Sequence, residues 1–391
     1  MRIALSTPGK FHTFDLAREL HAHGVLSAVY SGYPRFKLGK EGLPPALIHT
    51  FPWVKGPLMA NPWGHRMPPS WMRQWQHWAA TSFGKYVARN IQPCDVYVGL
   101  SGSSLDAGKK IQVHGGRYVC DRGSAHIRTQ DYLLREEHAL WGMPFLGIDL
   151  RAIDIEETEY AQADLITVPS NFAQRSFIER GVPANKLRLL SYGVNLSRFQ
   201  PVDKPVANRF DVLFVGGMSL QKGVQYLLQA FQKISHAAKT LTFVGVASPD
   251  LIAMLRNRRL WPHDTRVLGH VPQVELKNIM SRSHVLVLPS IQDGMGMVMA
   301  QAMACGCPII ASRNTGAENL FADGQQGYIV PIRDVNALTE KLQRLADGPQ
   351  ERDEMGRKAL AITQKIGGWH EYGQNALAIY RSLTPRLESE G

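Results

Sequence analysis

Short apolar runs alternate with amphipathic stretches along the first half of the chain. The runs RIALS, DVYVGL, RYVCD and DLITVPS are each followed by a stretch that can form a helix, such as TFDLARELHAHG after the first run. Short apolar runs bounded by turns predict buried strands, and their alternation with helices predicts a parallel sheet covered on both faces. The first half of the chain is therefore expected to form a doubly wound α/β domain.

This alternation is interrupted once. Residues Asn195–Asn208, with the sequence NLSRFQPVDKPVAN, are polar, rich in proline and without periodicity, which is typical of an interdomain linker. From Phe210 the alternation begins again with FDVLFVGG and continues as far as ALTEKLQRLA. We therefore predict an α/β fold with two tandem Rossmann-like doubly wound domains, residues 1–200 and 205–367, that face one interdomain cleft.

The last part of the chain predicts one more helix. Trp369–Leu383 has helical spacing, and no strand follows it. We expect residues 368–391 to cross back over the cleft onto the first domain. In doubly wound domains ligands bind beyond the carboxyl ends of the strands, where the strand order reverses. The cleft between the two domains is therefore the expected ligand site.

Length and composition fit this two-domain interpretation. The 391 residues are too many for one ordinary core, and 44% hydrophobic content supports compact folding. No uninterrupted apolar run is long enough to span a bilayer, and the N-terminal MRIALSTPGK resembles a short strand rather than a signal peptide. The four cysteines show no zinc-binding spacing. These features predict a cytoplasmic protein with reduced thiols.

The positive charge is concentrated near the N-terminus. The formal net charge is +11, and residues 1–110 hold 13 Lys and Arg against 5 Asp and Glu. Such a field could attract nucleic acid, an anionic membrane surface or a phosphorylated substrate, and charge alone does not distinguish them. Because no nucleic-acid-binding motif accompanies the charge, we predict no nucleic-acid partner.

Five of the eight tryptophans lie between Trp53 and Trp78. Trp71, Trp75 and Trp78 recur at helical spacing with Arg73 beside them, which predicts an amphipathic helix. Two interpretations stay open. The tryptophans pack against the first sheet, or the helix is interfacial and brings the protein to the inner face of an anionic cytoplasmic membrane.

A glycine-rich turn separates an apolar run from a small-residue helix in the second half. The run Val285–Ser290, VLVLPS, is followed shortly by Asp293–Pro308, DGMGMVMAQAMACGCP. Gly294 and Gly296 permit a ligand to approach the backbone closely, and the helix start offers unpaired N–H groups and a positive dipole end. This predicts an anion site, most often for a phosphate, with an acid at its entry and the amide of Gln301 on the helix.

A second turn of this kind, FVGGMSLQKG, spans Phe214–Gly223 and contains Gly216 and Gly217. Lys222 is placed where its ammonium could reach an anion. The alternative is a plain turn between strand and helix with a solvated lysine. Two such turns in one domain favour the anion site.

Together these segments resemble the retaining glycosyltransferases of family 4, which have the GT-B fold. The resemblance extends over nearly the whole chain and includes Val168–Phe199, GHVPQVELKNIMSRSHVLVLPS and TGAENLFADGQQGYIVP. It implies transfer of a sugar, with retained anomeric configuration and no metal or other cofactor, from a UDP- or GDP-linked donor to a hydroxyl. The implied acceptor is a glycan or a lipid-linked sugar in the synthesis of a bacterial surface polysaccharide, lipopolysaccharide or glycolipid.

The resemblance also implies roles on the donor side. Lys222 and the backbone of Met295–Met297 would stabilise the negative charge of the leaving diphosphate. Asp293 would contact the donor sugar, and Gln301 the ribose hydroxyls. The nucleotide base is usually held by backbone contacts in the GHVP loop. The expected donor-binding residues are Gly9, Gly216, Gly217, Lys222, Val271, Gly294, Met295, Gly296, Met297 and Gln301.

On the donor side, three positions depart from the family pattern. Asp293 and Gln301 stand where the family has two glutamates, and Gly217 stands where it usually has an arginine. A neutral amide is a weaker hydrogen-bond acceptor than a carboxylate, and one charge-assisted contact to the phosphates is lost. A second function therefore stays open, that of a catalytically weak GT-B protein that binds nucleotide or glycan and acts as a partner.

In the first domain the segment DRGSAH follows the strand run RYVC. A histidine in this part of the family often faces the donor sugar or the acceptor, so His126 joins Asp293 and Lys222 as a catalytic candidate, with Asp121 as its partner. Capping of the next helix by His126 is the alternative. The expected residues on the acceptor side are Lys10, His12, Asp121 and Arg122.

Overall fold

The computed structural model of the protein describes residues 1–53, 56 and 68–384. Within these ranges the chain forms two sheets, of seven and six strands, in which neighbouring strands run parallel. Helices follow most of the strands. The predicted α/β architecture with two doubly wound domains is confirmed.

The first domain contains seven strands. These are β1 Ile3–Thr7, β2 Leu26–Ser31, β3 Ile48–Thr50, β4 Val96–Leu100, β5 Arg117–Asp121, β6 Leu165–Val168 and β7 Leu187–Leu189. They lie in the order β3-β2-β1-β4-β5-β6-β7. All residues of β1 and β6 are buried, as expected for a parallel sheet covered by helices on both faces. The helices are α1 Thr13–Ala22, α2 Arg35–Leu38, α3 Pro69–Asn90, α4 Leu105–Val113, α5 Ile127–Trp141, α6 Leu150–Gln162 and α7 Asn171–Ile178.

The second domain contains six strands. These are β8 Phe210–Val215, β9 Lys239–Val244, β10 Thr265–Val267, β11 Val285–Leu288, β12 Ile309–Ser312 and β13 Gly327–Val330. Their order is β10-β9-β8-β11-β12-β13. The helices are α8 Val224–Lys233, α9 Pro249–Asn257, α10 Gln273–Arg282, α11 Met297–Ala304, α12 Val335–Asp347 and α13 Pro349–Ile366.

The strand order reverses at one place in each sheet. β1 lies beside β4 in the first sheet, and β8 lies beside β11 in the second. The two glycine-rich turns follow β8 and β11, so both leave the sheet at adjacent carboxyl ends. This is the position at which doubly wound sheets bind their ligands.

The last helix, α14, spans Trp369–Leu383 and packs along α1 of the first domain. Nδ1 of His370 lies 3.1 Å from Oε2 of Glu19. A Cβ on Gly373 would lie 2.3 Å from Cβ of Glu19, so the absence of a side chain there permits the close packing. Helix α14 therefore packs on the first domain, and residues 385–391 of the predicted crossing segment lie outside the described ranges.

A buried carboxylate makes another contact between the domains. Glu137 on α5 is fully buried. It accepts hydrogen bonds from Gln225 Nε2 at 2.6 Å, from the Tyr226 hydroxyl at 2.8 Å and from Arg333 Nε at 2.7 Å. Because a buried charge is costly unless it is paired, this network stabilises the observed arrangement of the two domains.

Candidate functional site

A cavity of about 1060 Å³ opens between the two domains. Loops that follow β1, β4 and β5 line it on the side of the first domain, and α11 and the start of α10 line it on the side of the second. Of the residues predicted from the sequence, the ones that line it are Lys10, His12, Arg122, Met297 and Gln301. Both sheets thus present carboxyl-end loops to the same cavity.

The two glycine-rich turns bring Lys222 to Asp293. Lys222 ends a one-turn 3₁₀ helix in which its N–H donates to Ser219 Oγ at 3.3 Å. The following Gly223 has φ of 69°, and a Cβ there would lie 2.0 Å from the Pro289 carbonyl oxygen. This close approach folds the first turn against the end of β11. The Lys222 ammonium then forms an ion pair with the Asp293 carboxylate.

The turn after β11 also contacts the first domain. A Cβ on Gly294 would lie 2.0 Å from the carbonyl oxygen of Gly123, and the Gly294 carbonyl accepts a hydrogen bond from Ser170 Oγ at 2.5 Å. Gln292 Nε2 donates to Ser124 Oγ at 2.5 Å. The glycine predicted to admit a ligand therefore admits the backbone of the other domain.

Two of the predicted phosphate-binding N–H groups are already hydrogen-bonded. The N–H of Gly296 donates to the Thr315 carbonyl at 2.9 Å, and that of Met297 to the Met295 carbonyl at 3.0 Å. Within the described part of the chain, the N–H of Met295 makes no hydrogen bond. We expected the backbone of the whole segment Met295–Met297 to bind a diphosphate. In this arrangement of the loop only the N–H of Met295 is available for such a contact.

The remaining donor-side candidates differ in their surroundings. Gln301 lies one helical turn after Met297, so the two share the face of α11 that lines the cavity. Gly216 has φ of 147°, a conformation that favours glycine. No heavy atom lies within 4 Å of a Cβ placed on Gly217, so the position of the missing arginine is open space. Val271 is half-buried just before α10.

On the first-domain wall His12 pairs with Asp121. His12 Nε2 lies 2.6 Å from Asp121 Oδ2, and Asp121 Oδ1 accepts a hydrogen bond from Thr167 Oγ1 at 2.8 Å. Arg122 donates to Glu156 Oε1 at 3.0 Å and to Gln130 Oε1 at 2.7 Å. The carboxylate of Asp121 is thus hydrogen-bonded to a histidine 109 residues earlier in the chain.

Residues 198–361 match a family model, that of Glycosyl transferases group 1. They form a group 1 glycosyltransferase domain. It contains both glycine-rich turns, with Lys222 and Asp293, and the cavity-lining Gln301.

Relatives of the chain are named as glycosyltransferases. The chain is 27% identical over 284 residues to the alpha-D-kanosaminyltransferase of Streptomyces kanamyceticus, with 70% of each chain covered. It is 24% identical over 318 residues to the amylovoran biosynthesis glycosyltransferase AmsK of Erwinia amylovora, with 77% of this chain and 72% of that one covered. The D-inositol 3-phosphate glycosyltransferase of Kribbella flavida is 28% identical over 231 residues, and the alignment spans 54% of either chain.

Solved structures resemble the whole molecule. A sucrose-phosphate synthase from Thermosynechococcus elongatus superposes with a TM-score of 0.73 at 21% identity, over 98% of this chain and 99% of that one. HepE of Anabaena in complex with UDP-glucose superposes with a TM-score of 0.69 at 17% identity, over 98% and 100%. These likenesses establish the two-domain GT-B fold around the glycosyltransferase domain.

The structure corrects the placement of His126. Its Nδ1 accepts a hydrogen bond from the Arg128 N–H at 3.2 Å, so the side chain caps α5. The ring is 3% exposed between Tyr160 and Phe177, and burial lowers its pKa to about 4. Like Lys222 and Asp293, it is not among the residues that line the cavity, and Asp121 is paired with His12 instead. The alternative interpretation, in which His126 caps the following helix, therefore describes its position.

Two other first-domain candidates are tied to local structure. Gly9 is buried, and its carbonyl accepts a hydrogen bond from Ser31 Oγ at 2.9 Å. The Lys10 ammonium forms an ion pair with Glu41 at the edge of the cavity. Lys10 therefore reaches the cavity that faces the glycosyltransferase domain, whereas Gly9 supports the loop behind it.

The cavity holds charged residues that the sequence did not single out. Arg18 donates to Glu41 Oε2 at 3.0 Å, and Arg198 donates to Gln273 Oε1 at 2.5 Å. Lys40 lines the same cavity and makes no ion pair with any described residue. Arg198 lies in Val168–Phe199, a segment that carried the family resemblance, so the sequence could have indicated Arg198 as a site residue. Lys40 and Glu41 lie in a loop without any recognisable pattern.

The tryptophan-rich stretch is described in part, because residues 54–55 and 57–67 lie outside the described ranges. Trp71 and Trp78 on α3 are 69% and 51% exposed, and the rings of Trp75 and Trp78 meet edge to face at 5.5 Å. Packing against the first sheet therefore does not account for Trp71 and Trp78. Among the helices of the described residues, none is long and apolar enough to cross a membrane.

Proposed function

We propose that the protein is a retaining, metal-independent glycosyltransferase of family 4. It would move a hexosyl group from a UDP- or GDP-linked sugar to a hydroxyl of a glycan or a lipid-linked acceptor. The observation that carries the proposal is the ion pair of Lys222 and Asp293 at the switch point of the glycosyltransferase domain. Such a pair offers a sugar diphosphate a cation for its phosphates and a carboxylate for its sugar hydroxyls.

The chemistry of Lys222 follows from the charge that develops during transfer. When the bond between the anomeric carbon and the diphosphate oxygen breaks, negative charge grows on the diphosphate, and a preorganised ammonium lowers the energy of that state. In the observed structure Asp293 neutralises the ammonium. A bound diphosphate would take its place at Lys222, which frees the carboxylate for the hydroxyls of the donor sugar.

The nucleotide would lie along α11. Gln301 projects into the cavity with Met297, and its amide oxygen can accept hydrogen bonds from ribose hydroxyls. The base would lie toward the loop that contains Val271, just before α10. The complex of HepE with UDP-glucose, a protein of the same fold, supports a nucleoside diphosphate sugar as the ligand.

The acceptor would enter from the first domain. The name of AmsK refers to the biosynthesis of amylovoran, which supports a glycan acceptor. The exposed Trp71 and Trp78 on α3 support a second part of the proposal. A cytoplasmic enzyme could use them at the inner face of an anionic membrane, where lipid-linked acceptors lie.

A donor panel tests the proposal. The wild-type protein is incubated with UDP- and GDP-linked hexoses, with and without chelator, and the release of nucleoside diphosphate is measured. Acceptor-dependent release that survives chelation is expected, and the anomeric configuration of the product, read by NMR, should match that of the donor. Nucleotide binding without any release would favour the alternative, a GT-B protein that binds nucleotide or glycan as a partner. The departures from the family pattern at Gly217 and Gln301 support this alternative.

A further inference from the structure

The cavity between the two domains is lined by more basic than acidic side chains. Of the described residues that line it, five are Lys or Arg and two are Asp or Glu. Three of the basic residues belong to the first domain near its N-terminus. They are Lys10 from the loop after β1, Arg18 from α1 and Lys40 from the loop after α2. We call these three residues the cationic corner.

Glu41 holds two members of the cationic corner in place. One of its carboxylate oxygens forms an ion pair with the Lys10 ammonium, and the other accepts a hydrogen bond from Arg18 Nη1 at 3.0 Å. The second terminal nitrogen of Arg18 pairs with Asp15. Because these contacts already restrain the two basic side chains, less conformational entropy is lost when they bind a ligand.

The loop that carries Lys40 is fixed to the domain on both sides. Leu38 before it and Leu43 after it are buried in the core of the first domain. Gly42 has φ of 69°, and a Cβ placed there would lie 3.8 Å from Cδ of Arg18. The loop therefore turns beside α1, which brings Lys40 to the same wall of the cavity as Arg18.

The acidic groups lie beneath the basic ones. The side chains of Glu41 and Asp15 are 7% and 23% exposed, whereas those of Arg18 and Lys10 are 36% and 49% exposed. Lys40 is exposed and makes no ion pair with any described residue. A group that enters the cavity here therefore meets ammonium and guanidinium N–H groups. Such groups donate charge-assisted hydrogen bonds to phosphates and carboxylates.

The cationic corner is distinct from the cation assigned to the donor. Lys222, proposed to contact the diphosphate, belongs to the second domain and pairs there with Asp293. The cationic corner belongs to the first domain, from which the acceptor would enter. Lys10 directly follows Gly9, a donor-side candidate, so Arg18 and Lys40 separate the two substrates better than Lys10 does.

We propose that the cationic corner binds an acidic group of the acceptor, a phosphate or a carboxylate, an inference that rests on the proposed function. The acceptor is then a glycan or a lipid-linked sugar that carries such a group. Arg18 and Lys40 donate hydrogen bonds to the acidic group and take no part in making or breaking bonds. They determine which acceptor binds, and donor binding and the chemical step do not depend on them.

Fractionated acceptors test the charge of the acceptor. A crude bacterial extract is divided into an aqueous and an organic phase, and an anion-exchange column separates each phase into a neutral and an acidic fraction. Each fraction, at equal sugar content, is incubated with the wild-type protein and UDP- and GDP-linked hexoses, and transferred sugar is measured. We expect an acidic fraction to accept sugar at least about tenfold faster than the neutral fraction of the same phase, the lower range for hydrogen bonds to charged groups. Activity in the organic phase identifies a lipid-linked acceptor, and activity in the aqueous phase identifies a soluble one.

Lys40→Gln tests the cationic corner itself, because it removes the charge and keeps a side chain of similar reach. The apparent KM for the active acidic fraction should rise about tenfold, while kcat and the Kd for UDP and for GDP stay within about twofold. The difference from the wild type should shrink at high salt, because exposed charges are screened. Lys37→Gln, at an exposed lysine that is not among the residues lining the cavity, is the matched control and should keep the wild-type KM.

Two results overturn the proposal. In the first, the neutral fractions accept sugar as well as the acidic ones. In the second, Lys40→Gln keeps the wild-type KM for the active acidic fraction. A wild-type protein that binds UDP or GDP but transfers sugar to no fraction would contradict the proposed function itself, and this proposal with it.

Discussion

Lys222 and Asp293 are 71 residues apart in the chain, yet their side chains form an ion pair at the carboxyl edge of the second sheet. The pair forms because β8 and β11 are neighbours and both continue into glycine-rich turns. The two side chains are 25% and 19% exposed, so each offsets only part of the cost of burying the other's charge. A ligand that carries a diphosphate and sugar hydroxyls can replace this internal pairing at both ends.

Replacement of Lys222 by alanine tests its role at the diphosphate. Lys222→Ala should reduce kcat by about 10² to 10³, the usual effect of removing one donor that stabilises a developing anion. The fold should stay intact, because the ammonium is partly exposed. Steady-state kinetics and thermal unfolding measure the two effects. Lys204→Ala, at an exposed linker position, is the control. An unchanged rate in Lys222→Ala would remove the assigned role.

Gly217→Arg tests the departure from the family pattern. The site has open space for a side chain, and an arginine there would add a charge-assisted hydrogen bond to the phosphates. We expect the Kd for UDP or GDP to fall about tenfold, which corresponds to the lower range of such a bond. Isothermal titration calorimetry measures it. Weaker nucleotide binding by this variant would mean that the diphosphate does not lie near residue 217.

Gly294→Ala tests the contact between the domains. The new methyl group would lie 2.0 Å from the Gly123 carbonyl oxygen and 2.6 Å from Ser124 Cα, so the two domains must move apart. We expect a larger radius of gyration in small-angle X-ray scattering and a loss of turnover of at least about tenfold, because the reacting groups are misplaced. Gly39→Ala, where the nearest atom is 3.9 Å away, is the matched control. A variant with unchanged dimensions and turnover would contradict the importance of this contact.

The cap formed by His126 predicts a pH dependence of stability. Burial lowers the pKa of His126 to about 4 in the folded state, below its ordinary value of 6.5. Between pH 6.5 and 4 the unfolded chain therefore binds a proton that the folded chain does not, and stability falls as the pH is lowered through this window. His126→Asn keeps a capping side chain and removes this group. Its Tm should fall less than that of the wild type between pH 7.5 and 5.

The residual pH dependence of that variant has an identified source. His284 is also buried, and burial lowers its pKa to about 4, so some loss of stability in acid should remain. A Tm difference between the two pH values that is identical in His126→Asn and in the wild type would contradict the buried, neutral state of His126.

Features fixed by local chemistry could be predicted from the sequence. The helix Trp369–Leu383 forms with the predicted bounds. Both glycine-rich turns lie between strand and helix, because apolar runs, glycines and amphipathic stretches act over a few residues. The two turns lie together because the strand order reverses between β8 and β11. That strand order was expected from the family resemblance and not from local sequence.

Features that depend on contacts between distant segments could not be predicted. His12 and His126 both lie in loops after strands, and only the approach of Asp121 to His12 across the sheet tells them apart. Likewise, glycine at position 294 suggests room for a ligand, whereas the three-dimensional reason is the backbone of Gly123. The sequence shows that Gly294 has no side chain, but it does not show which atoms occupy the space beside it.

The central claim is sugar transfer from a nucleoside diphosphate sugar, and product analysis tests it most directly. The wild-type protein is given UDP- and GDP-linked hexoses with a crude glycan and lipid acceptor extract, and nucleoside diphosphate is quantified together with the transferred sugar. We predict that one donor is consumed, with one sugar transferred per nucleoside diphosphate released. Tight binding of a nucleoside diphosphate with no donor consumed under any of these conditions would contradict the account.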